Sequence, residues 1–141
     1  MEALTDGEFT RRYWGGRRIQ SDWKAGSTIR HVREDGGIDW QGEVLQSQPP
    51  RLLAYTFHMR ISDKHHRERR SRVTFELQPM GSVVKLILTH DDFQAESATL
   101  ETTRHGWPAI VSSLKSLLET GSPLPFQGLG FGPSSREPGR L

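Results

Sequence analysis

The hydrophobic positions of the chain follow two periods, one after the other. Between Thr28 and His90 they alternate with polar residues, the pattern of strands with one buried face. Ile29 and His31 share a face in Thr28 to Glu34, and Ile38, Trp40 and Val44 share one in Ile38 to Gln46. The same holds for Leu53, Tyr55, Phe57 and Met59 in Leu52 to Met59. Val73, Phe75 and Leu77 align in Ser71 to Gln78, and Val84, Leu86 and Leu88 in Val83 to His90. From Trp107 the period lengthens: Trp107, Ile110, Val111, Leu114, Leu117 and Leu118 make one stripe of an α-helix. Pro108 suits the first turn of that helix, Gly121 its left-handed end, and Pro123 prevents continuation. Burying each stripe residue stabilises by roughly 1.5–3 kcal/mol, so the helix must lie on a broad apolar surface. The strands before it are the candidate.

Turn chemistry separates these elements. Asp35-Gly36-Gly37 marks a hairpin, Lys24 to Ser27 and Pro79-Met80-Gly81 mark turns, and Gln48-Pro49-Pro50 parts two strands. Gly42, inside a strand pattern, marks a bulge or a point of close backbone approach. Ahead of the strands, Glu2 to Tyr13 predicts two short helices, the second capped by Asp6 and broken by Gly15-Gly16. A short strand follows at Ile19 to Trp23. Ser62 to Arg70 reads as a solvated charged connection and Asp91 to Thr103 as a polar one. Short helices, five or six antiparallel strands and one long helix make an α+β domain over residues 1–122. Proline and glycine crowd the remainder, so residues 123–141 read as an unstructured tail or one docked on a sheet edge.

Composition narrows the function. A chain of 141 residues with a net charge of +2 is one domain, too weakly basic to indicate a nucleic-acid partner. The absence of cysteine excludes disulfides and thiolate chemistry. No apolar run is long enough to span a bilayer and no export signal is evident, so a cytoplasmic protein without membrane contact is expected.

Little in the sequence is catalytic by pattern. His58, Arg60, Glu76, Lys85 and His90 sit on strands, facing either solvent or the interior as polar anchors. His90-Asp91-Asp92 resembles a metal or acid–base cluster, but neighbours on a strand face opposite ways, which favours a strand-end turn. His65-His66 lacks a chelating spacing, and no nucleophile elbow, phosphate loop or zinc signature occurs. No metal or other cofactor is expected. The aromatic set, by contrast, is rich: Trp14, Trp23, Trp40, Tyr55, Phe57, Phe75, Phe93 and Trp107 serve either as plain core or as the walls of an apolar pocket.

Several segments in order carry a family resemblance: Ala3-Leu4-Thr5-Asp6, Ser21-Asp22-Trp23-Lys24-Ala25-Gly26-Ser27, Pro49-Pro50-Arg51-Leu52, Ser71-Arg72-Val73-Thr74-Phe75-Glu76, Leu88-Thr89-His90, and Gly106-Trp107-Pro108 through Gly121. Over Glu2 to about Leu124 the chain resembles the bacterial homologues of the activator of heat-shock protein 90 ATPase, within the START-like (SRPBCC) superfamily. The resemblance implies a helix-grip fold, a curved antiparallel sheet around the C-terminal helix with an apolar cavity between them. It points to Trp14, Trp23, Trp40, Tyr55, Phe57, Phe75, Leu88, Phe93, Trp107, Ile110, Val111 and Leu114 as the lining of that cavity. Family members begin with one more strand than is found here, so a sheet edge is expected to be open. Upstream residues, a second copy of the chain in a homodimer, or Phe126 to Phe131 would cover it.

Three functions follow. The first is capture of a small hydrophobic or aromatic ligand without catalysis. The second is a chaperone-associated module active in stress response, which the family name implies. The third is a cyclase- or hydrolase-type enzyme using an inward His or Arg in the same cavity.

Overall fold

The computed structural model describes residues 1–125. Two short helices, α1 (Glu2–Thr5) and α2 (Gly7–Tyr13), lead into six strands: β1 (Arg18–Ser21), β2 (Thr28–Val32), β3 (Ile38–Gln48), β4 (Leu52–Met59), β5 (Ser71–Met80) and β6 (Val83–Asp91). Helix α3 (Asp63–His66) interrupts the connection between β4 and β5, and α4 (Ala98–Thr120) follows β6. The strands form a single antiparallel sheet in sequence order, β1-β2-β3-β4-β5-β6. The α+β class and the long helix across the sheet are those expected. Residues 126–141, including Phe126 to Phe131, lie outside the described residues.

The alternating faces meet in one core. Ile29, Trp40, Val44, Leu53, Tyr55, Phe57, Met59, Val73 and Phe75 are buried from the sheet, Trp107, Ile110, Leu114 and Leu117 from α4, and Leu4, Tyr13 and Trp14 from the N-terminal segment. Gly42 is a close approach: a Cβ built there would stand 1.8 Å from the Thr56 carbonyl oxygen. The bulges lie elsewhere, between His31 and Val32 and between Val44 and Gln46.

Three local expectations are corrected. Helix α4 begins at Ala98, not beside Trp107, and Pro108 lies within it. Its first turns bury Thr99 and Thr103, the Thr103 hydroxyl donating to the Thr99 carbonyl at 2.8 Å, and such polar residues conceal a helical stripe. Ser97 caps it by accepting from the Leu100 amide at 3.0 Å, and Glu68 closes over the same end. The connection from Ser62 to Arg70 is not merely solvated, since α3 forms there and Glu68 is buried. Strand β1 ends at Ser21, because Trp23 takes a left-handed backbone (φ 59°) that no strand continues.

A buried ion network was not legible in the sequence. Asp39 is fully buried and accepts from Arg33 Nη1 at 2.7 Å and from Arg17 Nε, tying the residue before β1 to β3.

Candidate functional site

Val84, Leu86 and Leu88 lie opposite Pro79, Leu77 and Phe75 on β5, on the face that α4 covers. Helix α4 carries Trp107, Val111, Leu114 and Leu118 at i, i+4, i+7 and i+11, one stripe of its surface. The helix packs closely against α2 and α3, and along β6 the two elements leave a hollow. An open cleft of about 740 Å³ runs between them, lined by Val84, Leu86, Leu88, Trp107, Pro108, Val111, Ser112, Leu114, Lys115, Leu118 and Glu119. A second hollow of about 420 Å³ shares Val84, Leu86, Leu114 and Leu118 with it and continues to Met1, Leu4, Phe9, Arg51, Leu77 and Pro79. Together they form one apolar trough that extends the core to the surface. Val84 and Leu118 face it 62% and 58% exposed, where residues of their kind are usually covered.

The trough's polar features are few. At one rim Lys115 Nζ donates to Glu119 at 2.8 Å, an exposed pair of little energetic weight. At the other end a relay pins the helix to the sheet. The Trp107 indole N–H donates to His90 Nδ1 at 2.9 Å, so that the imidazole proton stays on Nε2. Nε2 then donates to Ser71 Oγ at 2.7 Å, and that hydroxyl donates to the Phe57 carbonyl at 3.3 Å. Phe93 covers the ring at 4.4 Å and Phe57 meets it edge-on at 4.8 Å. Burial among these rings lowers the His90 pKa to about 4, against the opposing pull of Asp91.

Of the residues expected to line a cavity, Leu88, Trp107, Val111 and Leu114 meet at the trough. The others sit elsewhere. Trp40 stacks on Tyr55 at 5.2 Å and on His31 at 5.0 Å, Phe57 lies 4.6 Å from Trp40, and Trp14 lies 4.2 Å from His31. Phe75 is 6.1 Å edge-on to Trp107, and Ile110 is buried beneath the helix. Trp23 is partly buried against the core. Val84, Leu86 and Leu118 were missed as lining, although the alternation of β6 and the helical stripe already placed each on the right face.

The ionisable strand residues do not converge there. Only His90 is turned inward; Arg60, Glu76 and Lys85 are exposed, and His58 Nε2 meets the His66 carbonyl at 2.8 Å on the outer side. Asp91 pairs with Arg72 at 2.9 Å and Asp92 with Arg69 at 3.2 Å, so His90-Asp91-Asp92 splits in three directions. Among the described residues no group of three or more His, Asp or Glu is placed to hold a metal ion.

Residues 2–119 match the model of the family described as activator of Hsp90 ATPase homolog 1-like protein. The chain belongs to that family. Solved structures agree on the fold of this family member. Protein MLL2253 from Mesorhizobium loti is 23% identical, with a TM-score of 0.69 over 84% of this chain and 85% of that one. The Aha1 dimer from Colwellia psychrerythraea is 21% identical, with a TM-score of 0.66 over 85% of each chain. PFC0360w, an HSP90 activator from Plasmodium falciparum, is 22% identical, with a TM-score of 0.66 over 83% of this chain and 84% of that one. No curated protein matches the chain. No helix among the described residues is long and apolar enough to cross a membrane.

Proposed function

We propose that this family member binds a small, predominantly apolar ligand in the trough between β6 and α4. One observation carries the reading: among the described residues the core is left open along that seam, with Val84 and Leu118 more than half exposed over a cleft of about 740 Å³. A volume of that order matches a drug-sized guest. An apolar lining with Trp107 at one end suits a flat aromatic or a branched aliphatic body. Among the described residues, the close ionisable pair of the trough is the exposed Lys115–Glu119 pair at its rim, which supports capture over catalysis.

Titration with 1-anilinonaphthalene-8-sulfonate, followed by displacement with aromatic and aliphatic compounds, tests this directly. Saturable uptake with quenching of Trp107 emission is expected. Val111→Glu and Leu118→Glu, both at partly exposed positions, should weaken uptake at least tenfold without altering the far-ultraviolet spectrum. Equal uptake by wild type and both variants would refute the site.

A second reading rests on family membership, since a family member from Plasmodium falciparum is an HSP90 activator. It requires that the chain accelerate ATP turnover by a heat-shock protein 90 chaperone. An unchanged turnover at saturating protein would remove it.

A further inference from the structure

Among the described residues, two serine–histidine pairs stand at 2.7 Å, and what holds the far side of each ring decides its chemistry. In the pair at the trough, His90 Nδ1 is taken by the Trp107 indole, which only donates, so Nε2 carries the proton and donates to Ser71. Ser71 is buried and gives its own proton to the Phe57 carbonyl. That hydroxyl is not activated by the ring.

The other pair has the opposite polarity. Ser62 caps α3, and its Oγ lies 2.7 Å from His65 Nδ1. Across the ring, Nε2 meets the Thr102 hydroxyl of α4 at 2.8 Å, and the Ala98 carbonyl one turn earlier also bonds the imidazole. A carbonyl only accepts, so the ring proton stays on Nε2 and points to α4. Nδ1 is then an acceptor, and the Ser62 hydroxyl donates to it. This is the arrangement of a nucleophile, a general base and a group that orients the base. Capping alone does not require it, since an N-cap serine needs only an amide of the first turn. Here that amide bond, from His65 N, is long at 3.3 Å, and Ser62 is exposed, with a lone pair open to solvent.

An open hollow of about 510 Å³ adjoins the pair, lined by Lys64, His65, Ala98, Leu100 and Thr102 among others. It is built by α3 and the start of α4, so neither edge of the sheet contributes to it. His65 faces Lys64 on α3, Glu68 just beyond it, and Thr102 and the Ala98 carbonyl on α4, while Glu96 and Glu101 line the hollow. Burial, aided by Lys64, outweighs Glu68 and Ala98 and holds its pKa below the ordinary 6.5, so the base is free at neutral pH.

We propose that Ser62 and His65, oriented by Thr102, form an esterase site for small acyl esters, separate from the trough. Ser62 Oγ attacks the ester carbonyl carbon as its proton passes to His65 Nδ1. The single bond from that carbon to the alcohol oxygen breaks, and the departing alkoxide takes the proton and leaves as the alcohol. Water, giving a proton to Nδ1, then cleaves the acyl-serine to a carboxylic acid and the hydroxyl is restored. Ester and water are consumed, and acid and alcohol are released. Lys64 offers positive charge to the oxyanion, and Ala98 and Leu100 offer apolar surface to a short acyl or alcohol group. Thr102 acts through the ring and is a positioning residue.

Hydrolysis of p-nitrophenyl acetate by the full chain, with mass spectrometry of protein quenched during turnover, tests the site. Turnover above buffer is expected, with an acetyl group on Ser62 and a rate that rises through the His65 ionisation, below pH 6.5. Ser62→Asn keeps a good N-cap and removes the nucleophile, and His65→Gln removes the base. Each should lower the rate by roughly a hundredfold or more at an unchanged far-ultraviolet spectrum. Thr102→Val should lower kcat at nearly constant KM and move the pH midpoint downward, which loss of packing would not do, and Thr102→Ser should restore both. Equal rates in wild type, Ser62→Asn and His65→Gln overturn the proposal. So does acetylation confined to lysines, to other histidines or to Ser71.

Discussion

His31 is fully buried between Trp14 and Trp40, and neither ring nitrogen finds a hydrogen-bond partner among the described residues. Burial, and secondarily the charge of Arg17, holds its pKa well below the ordinary value. An imidazole that loses its water bonds without replacement costs about 1–3 kcal/mol. His31→Phe keeps the stack and removes that cost, so it should raise stability by about 1–2 kcal/mol at neutral pH, read from a urea midpoint at unchanged slope. A loss of stability would mean that an unseen partner satisfies the ring. His90 differs in having both nitrogens bonded, but its folded pKa of about 4 also lies below the ordinary 6.5. The unfolded chain thus binds the proton first. The contribution is complete above pH 6.5 and fades as pH falls towards 4, by up to about 3 kcal/mol. Denaturation midpoints should fall over that window, and less steeply in His90→Phe, which has no proton to gain. Parallel pH profiles for the two proteins would contradict the assignment.

Helix α4 depends on an element distant in sequence. The Glu68 carboxylate, carried just beyond α3, accepts from Ser97 Oγ and from the amides of Ala98 and Thr99. Burial acts to raise its pKa, but the bonds from Ser97, Ala98 and Thr99 outweigh it and the net shift is downward. A carboxylate on the free amides of a helix N-terminus is favourable both as acceptor and as charge. Glu68→Ala should cost about 1–3 kcal/mol and speed exchange at the Ala98 and Thr99 amides before the rest of the helix. Uniform loss along α4 would show that the clamp is not local. This clamp also marks where sequence pattern stops informing. The strands and the second half of α4 were legible because large side chains alternate or recur at helical spacing. Its first two turns were not, because they bury threonines and are capped from about thirty residues upstream. Gly42 was legible as a special position, and Thr56 opposite it supplied the reason only in three dimensions.

At the scale of the molecule, the difference between core and trough is one of coverage. The aromatic column from His31 through Trp40 to Tyr55 and the stripe at Val84, Leu86 and Leu88 obey the same alternation, and spacing cannot tell which is roofed. The roof depends on how far α4 stands from the last strand. The consequence is thermodynamic. Leu118 contributes little to the empty protein because it is 58% exposed there, so Leu118→Glu should change the ligand-free stability by no more than about 0.5 kcal/mol. A ligand that binds only the folded chain adds RT ln(1 + [L]/Kd), about 2.7 kcal/mol at a hundredfold excess over Kd. For a domain of this size that is a rise in midpoint of roughly 5–10 °C. Thermal scans with 1-anilinonaphthalene-8-sulfonate should show the rise in wild type and its absence in Leu118→Glu, the two unliganded midpoints nearly coinciding. A side chain that merely packs would lower the unliganded midpoint and leave the ligand increment intact, so the pair of scans separates a guest-holding wall from ordinary core.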